Sequence, residues 1–124
     1  MQLTEHPLVE TIFIGGKIQR NAMVTIGIDV IQYLSKLRAD IAFIGVSALS
    51  VKQGVTEEGY EVSLIKKAMM DASQHTVFLA TSNKLNTIHN YDVSNLTYSA
   101  TVVTDLDPED SRIRDFKDAG LNLV

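Results

Sequence analysis

Cysteine and tryptophan are absent from this 124-residue chain, and proline occurs only twice. Without cysteine the chain cannot form a disulfide or a thiolate metal site, and nothing points to an oxidising compartment. No apolar run approaches the roughly 18 residues that a membrane-spanning helix needs, and the N-terminus lacks a signal-peptide pattern. The hydrophobic content of 45% supports a packed core. These features predict a single cytoplasmic domain over residues 1–124.

Clustered basic residues are also missing. The chain has 11 Lys and Arg against 15 Asp and Glu, a formal net charge of −4, and Lys66-Lys67 is its only adjacent basic pair. Binding to nucleic-acid phosphates depends on clustered cations. The histidines, His6, His75 and His89, lack the spacing of metal ligands. We therefore expect no DNA-binding surface on this chain, no metal site and no cofactor.

Short apolar runs alternate with segments of helical periodicity. Strands are predicted over residues 8–16, 39–45, 77–81 and 100–104, with a short final strand over residues 121–124. Residues 17–27 suit a strand or a helix, residues 46–59 a long polar connection, and residues 91–98 a loop with one helical turn.

Three helices are predicted between these strands. The first begins after Gly27 and the second after Gly59, both with apolar residues about one turn apart. The last has Asp107 as its N-cap and Pro108 as its first residue, and it ends at Gly120.

The alternation of strands and helices predicts an α/β fold with a mainly parallel sheet that is covered on both faces. Ligands of such sheets bind at the carboxyl ends of the strands. Three turns follow predicted strands: Gly15-Gly16, Gly45 and Ser82-Asn83-Lys84. We therefore expect these turns to lie along one edge of the sheet.

Lys84 is the leading candidate ligand contact, because a lysine after a buried strand is a compact cation suited to a phosphate. The alternative is a solvated turn, for which Ser82 and Asn83 are typical residues. Gly15 lets a ligand approach the backbone closely, although Gly-Gly is also an ordinary tight turn. Glu61 suits a catalytic base, or else an exposed first-turn glutamate that the helix dipole stabilises.

Taken together, seven motifs resemble the C-terminal effector-binding domain of DeoR-type repressors of sugar metabolism. They are IGG (14–16), Gly27, ADIAFIG (39–45), QGVT (53–56), IKKAMMDA (65–72), TSNK (81–84) and VVTD (102–105). The resemblance covers almost the whole chain. It implies a three-layer α/β/α fold, similar in part to ribose-5-phosphate isomerase, glucosamine-6-phosphate deaminase and CoA transferases.

The resemblance also implies a function. The chain is expected to be the sugar-phosphate effector-binding module of a bacterial transcriptional repressor, non-catalytic and homo-oligomeric. DNA would be bound only by an N-terminal winged helix absent from this chain, and residues 1–124 would be the C-terminal portion of the effector domain. The expected effector contacts are Lys84, Thr56, Gly15, Ser47, Ser82 and Glu61.

Two positions depart from the family pattern. Thr81 stands where the family usually has an aspartate, and Ala48 where it often has a glycine. Related enzymes carry an acidic residue near Ser47, whereas Glu61 and Lys84 match catalytic positions of the isomerase. The alternative function is therefore a small sugar-phosphate isomerase with Glu61 as its base and Lys84 as its cation.

The resemblance further implies that residues 8–14 have lost a neighbouring strand. An unpaired apolar strand exposes backbone donors and acceptors and invites pairing with another chain. We expect either that residues 8–14 pair directly with residues 39–45, or that two copies join through these edges.

Overall fold

A computed structural model of the chain describes residues 5–21, 23–95, 100–120 and 122–123. It contains nine strands, a short 3₁₀ turn over Ser82–Lys84 and three helices within those ranges. The strands are β1 (Lys17–Gln19), β2 (Val24–Ile26), β3 (Ala39–Gly45), β4 (Ala48–Ser50), β5 (Gly54–Glu57), β6 (Ser73–Ala80), β7 (Tyr91–Ser94), β8 (Ala100–Thr104) and β9 (Asn122–Leu123). The helices are α1 (Ile28–Ser35), α2 (Tyr60–Asp71) and α3 (Ser111–Asp118).

The main sheet is parallel and has the strand order β3-β6-β8-β9. Its three principal strands coincide with the apolar runs at residues 39–45, 77–81 and 100–104, although β6 begins earlier and ends at Ala80. The predicted α/β class with a mainly parallel sheet is confirmed. Residues 122–123 of the predicted final strand form β9, and residues 121 and 124 lie outside the described residues.

One face of this sheet is the main core. In-register residues of parallel strands share a face, and Ile44, Phe78 and Val102 form one such row with exposures of 0–2%. Met70 of α2 and Phe116 of α3 pack in the same cluster. The two helices therefore cover this face.

The other face of the sheet is open in the described part of the chain. Its side chains alternate with the buried ones along the strands, as expected for β structure. The exposed fractions are 50% for Ile41, 63% for Phe43, 44% for Leu79 and 37% for Val103. Parallel sheets normally bury both faces, so this surface is unusually apolar for one in contact with water.

A second sheet, which is antiparallel and has the order β4-β5-β7, replaces the connection and the loop predicted at residues 46–59 and 91–94. That prediction was wrong because Ser50, Thr56 and Glu57 are polar residues that nevertheless are buried in strands. Residues 96–98 of the predicted loop lie outside the described residues.

Gly54 begins β5 with φ +72°, and a Cβ there would lie 2.2 Å from the Ser94 carbonyl oxygen. Glycine is therefore required for β5 to approach β7.

The predicted strand at residues 8–16 is wrong. These residues have no ladder partner in the described chain, and the first strand begins only at Lys17. An apolar run becomes a strand only when its backbone groups pair with a neighbour, and in the described chain β3 pairs with β6 alone. Residues 8–14 do not pair with β3, so that alternative is also wrong, whereas association of two copies stays a prediction.

The helices follow the predicted periodicity with one correction. Helix α1 has Gly27 as its N-cap, α2 has Gly59, and Gly120 follows α3 with φ +93°. The N-cap of α3 is Asp110, whose side chain accepts from the Arg112 backbone N–H, rather than Asp107. Asp107 instead accepts from the Glu109 N–H and closes a turn before the helix.

Candidate functional site

A cleft lies where the predicted ligand edge was expected, at the carboxyl ends of β3 and β6. Two adjoining cavities of about 290 and 420 Å³ form it, and we call them together the carboxyl-end cleft. Both cavities are lined by Asn21, Ser47, Val62 and Lys84. The other polar residues that line one of them are Gln19, Glu57, Glu58, Lys66, Thr81 and His89.

Lys84 ends the 3₁₀ turn that follows β6. Its backbone N–H donates to the Thr81 carbonyl at 2.9 Å, and the Ser82 N–H donates to the Asp105 carboxylate at 2.8 Å. Leu85 is buried and forms a parallel bridge with Leu49 of β4. These contacts fix the turn at both ends, so Lys84 is presented to the cleft from an anchored backbone.

The Lys84 ammonium group has no hydrogen-bond or ion-pair partner among the residues that the structure describes. Lysine has three donors and no acceptor, and its hydrated head is a strong point charge for phosphate. Lys84 is therefore a cation available to an anionic ligand.

Below Lys84, a buried ion pair joins three elements of the fold. Lys66 of α2 donates to Glu57 Oε2 of β5 at 2.5 Å and to the Gly45 carbonyl of β3 at 2.7 Å. The Ser47 hydroxyl donates to the same Glu57 oxygen at 2.7 Å. The side chains of Lys66 and Glu57 are 12% and 5% exposed. Removing one partner of such a pair would leave a buried charge uncompensated.

The environment of Glu57 keeps its carboxylate ionised. Burial by itself raises the pKa of this group, but hydrogen bonds from Lys66 and Ser47, the Lys66 charge and the Glu58 N–H together lower the pKa below its ordinary value of 4.5. Glu57 therefore accepts three hydrogen bonds as a carboxylate. A carboxylate held in this way is a poor general base, because proton transfer would break up its own network.

The N-terminus of α2 also faces the cleft. Glu58 and the N-cap Gly59 line the smaller cavity. The first N–H groups of a helix lack intrahelical acceptors and carry a partial positive charge. The helix end therefore favours an anion near Lys84, whereas the Glu58 carboxylate in the lining of the same cavity opposes one.

The β1–β2 hairpin and the segment before β7 supply lining residues that sequence reasoning missed. Asn21 follows β1, and His89 precedes β7 with its backbone N–H bonded to Thr56 Oγ1 at 2.8 Å. Neither residue belongs to a recognisable motif, since tertiary contacts alone bring these segments to the cleft. The absence of metal-ligand spacing also gave no reason to single out His89.

The structure brings some of the six expected contacts together and separates others. Lys84 and Ser47 both line the cleft. Ser82 belongs to the same turn, but Asp105 already occupies its N–H group. Thr56 is 1% exposed and lies behind the lining, where its hydroxyl holds the His89 backbone. Gly15 and the exposed Glu61 do not belong to the lining of the cleft in the described chain.

Within residues 5–21, 23–95, 100–120 and 122–123, no group of three or more His, Asp or Glu side chains is placed to hold a metal ion. None of the described helices combines the length and apolarity needed to span a bilayer.

Comparison with known proteins gives two matches. Residues 1–106 match the family described as the DeoR C-terminal sensor domain. The chain is also similar to the "HTH-type transcriptional repressor GlcR" of Bacillus subtilis (strain 168), with 28% identity over 103 residues. That alignment covers 83% of this chain and 40% of the relative. The chain thus spans less than half the length of the curated protein that it matches.

Proposed function

We propose a function from one premise, which is that the chain belongs to the DeoR C-terminal sensor domain family. A sensor domain has a regulatory role, in which binding of an effector changes the behaviour of the protein that contains it. We propose that the effector is a phosphorylated sugar and that it binds in the carboxyl-end cleft. Lys84 would contact its phosphate.

The Lys84 ammonium, which has no partner among the described residues, is the observation that carries this proposal. It lies at the carboxyl end of a parallel strand, where ligands of α/β sheets bind, and the N-terminus of α2 borders the same cleft. A phosphate there would replace water around a cation that no described acidic side chain neutralises. Around it, Asn21, Ser47 and His89 offer polar groups to the remainder of a hydroxylated ligand.

We further propose that the bound sugar phosphate is not converted. An isomerase needs a positioned base beside the reacting carbon and a group that stabilises the developing oxyanion. Glu61, the base of the alternative function, is exposed and lies outside the cleft lining in the described chain. Glu57 does line the cleft, but its carboxylate is occupied by Lys66, Ser47 and the Glu58 N–H.

The role in transcription is proposed from the relative's description as a transcriptional repressor. With a net charge of −4 and no basic cluster, this chain is not expected to bind an operator by itself. DNA binding would come from a winged-helix segment outside the chain, and the repressor would act as a homo-oligomer in the bacterial cytoplasm.

Calorimetric titration with ribose 5-phosphate tests the effector proposal. Lys84→Ala should weaken binding by about 1.5–3 kcal/mol, the range for hydrogen bonds to charged groups. Lys67→Ala is the matched control, because Lys67 is an exposed lysine of α2 that does not line the cleft. The control should bind as the unmodified protein does.

Equal affinities for the protein and its Lys84→Ala variant would reject Lys84 as the phosphate contact. The same samples can be followed for aldose–ketose conversion. Turnover that Glu61→Gln abolishes would replace the sensor proposal with the isomerase alternative.

A further inference from the structure

The direction of the hydrogen bond between Ser47 and Glu57 restricts what the cleft can bind. Glu57 carries no proton, because its carboxylate is ionised and already accepts from Lys66 and from the Glu58 N–H. Ser47 must therefore be the donor in its 2.7 Å contact with Glu57 Oε2. The single hydroxyl proton of Ser47 is thus directed away from any ligand.

The remaining capacity of Ser47 is that of an acceptor. A hydroxyl oxygen has two lone pairs besides its proton, and Ser47 is half-buried and lines both cavities of the cleft. A ligand atom at Ser47 is therefore favoured if it donates a hydrogen bond. A phosphate or carboxylate oxygen there would meet lone pairs instead of a proton.

Glu57 and Lys66 hold the Ser47 hydroxyl in this orientation, with its proton towards Glu57 and its lone pairs towards the cleft. Lys66 bridges Glu57 and the Gly45 carbonyl, while Ser47 itself lies two residues after Gly45. The two anchors belong to β5 and α2, so Ser47 cannot turn its proton outward without leaving a buried carboxylate short of a donor. Lys66 and Glu57 are positioning residues in this arrangement.

We propose that Ser47 is a specificity-determining acceptor for a ligand hydroxyl, and that Lys84 binds the anionic group of the same ligand. This inference rests on the proposed function and deepens it. The cleft would then select a hydroxylated phosphomonoester over a plain anion. Only the former offers both an anionic group to Lys84 and a hydroxyl donor to Ser47.

Calorimetry with two probes, inorganic phosphate and ribose 5-phosphate, tests the proposal. Ser47→Ala should weaken ribose 5-phosphate binding about 3- to 10-fold, the loss of one ordinary hydrogen bond, and leave phosphate binding unchanged. Lys84→Ala should weaken both probes. Ser35→Ala, an exposed serine of α1 outside the cleft lining, is the control and should change neither.

Ser47→Cys provides a second variant if Ser47→Ala does not fold, because a thiol has a similar size but is a weak acceptor. It should show the same selective loss. Equal weakening of both probes by either variant would overturn the role of Ser47 while leaving the Lys84 contact intact. Phosphate binding that exceeds ribose 5-phosphate binding in the unmodified protein would also overturn it. Absence of binding for both probes would reject the effector proposal itself, and the inference with it.

Discussion

Phe43 and Phe78 lie on adjacent strands of one parallel sheet, but their surroundings differ completely. Phe78 is 2% exposed and packs between the sheet and its helices, whereas Phe43 points to the other face and is 63% exposed. The strands alone do not distinguish the two residues, since each lies in an uninterrupted apolar stretch, IAFIG at residues 41–45 and VFLA at residues 77–80. The difference teaches that helices α2 and α3 provide the core on one side only.

A similar contrast separates the carboxyl-end cleft from the open face. Around the cleft, polar groups are organised by buried partners, as Glu57 is by Lys66 and Ser47. On the open face, Ile41, Leu79 and Val103 are partly exposed without such organisation. The described chain therefore has a polar cleft, the candidate ligand site, beside an exposed apolar face, and contiguous exposed apolar residues are typical of an interaction surface.

The largest expected effect is on the free energy of unfolding, and it separates two Phe→Ala substitutions, one on each face of the sheet. Phe78→Ala should destabilise the fold by about 3–5 kcal/mol, because it leaves a cavity in the main core. At low protein concentration, where copies of the chain do not associate, Phe43→Ala should change the free energy of unfolding by no more than about 0.5 kcal/mol, as surface substitutions usually do. Urea unfolding of both variants measures the contrast. A large loss for Phe43→Ala would show that the open face is covered in solution.

A second prediction concerns pH and the buried pair. The pKa of Glu57 is lower in the folded state than its ordinary value of 4.5. Its stabilising contribution is therefore present above about pH 4.5 and is lost as the pH falls through the folded pKa. We expect stability to decrease over that acidic range, measured by urea unfolding from pH 7 to pH 3.

Lys66→Met sharpens this prediction. This substitution should lower the free energy of unfolding by about 3–5 kcal/mol at pH 7, because it leaves the Glu57 carboxylate buried without its cation. With Lys66 gone, burial, the largest single influence on the pKa of Glu57, is opposed by only the Ser47 and Glu58 hydrogen bonds, so we expect the acid-dependent loss at this site to shrink. If the unfolding free energies of the variant and the unmodified protein change with pH in the same way, Glu57 is not the cause of the acid-dependent loss of stability.

The smallest effect on stability is expected at the open face. The informative measurement there is the association of two copies of the chain. One edge of β3 has no partner in the described part of the chain, and apolar residues lie beside it, so we expect contact between two copies. Phe43→Lys should leave the unfolding free energy of the dilute protein nearly unchanged, but at high protein concentration it should shift light scattering towards the monomer. Ile88→Lys, an exposed residue outside the main sheet, is the control. If the unmodified protein is monomeric at every concentration, this prediction is wrong.

Sequence patterns located the principal strands and helices because their apolar residues repeat with the period of the element that buries them. Strands β3 and β8 have the predicted bounds, and the Ser82–Lys84 turn lies at the predicted carboxyl edge. The N-cap of α3 was misplaced by three residues, since Asp107 and Asp110 are equally good capping residues and local chemistry does not choose between them.

Other features depended on partners that are distant in the chain. The run at residues 8–16 has the composition of a strand but finds no backbone partner in the described chain. Residues 54–57, which include the polar Thr56 and Glu57, form β5 because β4 and β7 flank them. The Glu57–Lys66–Ser47 network joins residues that no local motif links. Sequence alone thus determined the α/β class and the position of Lys84, because periodicity and strand ends are local properties. Only the tertiary structure decided which sheet face is buried and which carboxylate lines the cleft, because burial and ion pairing depend on long-range contacts.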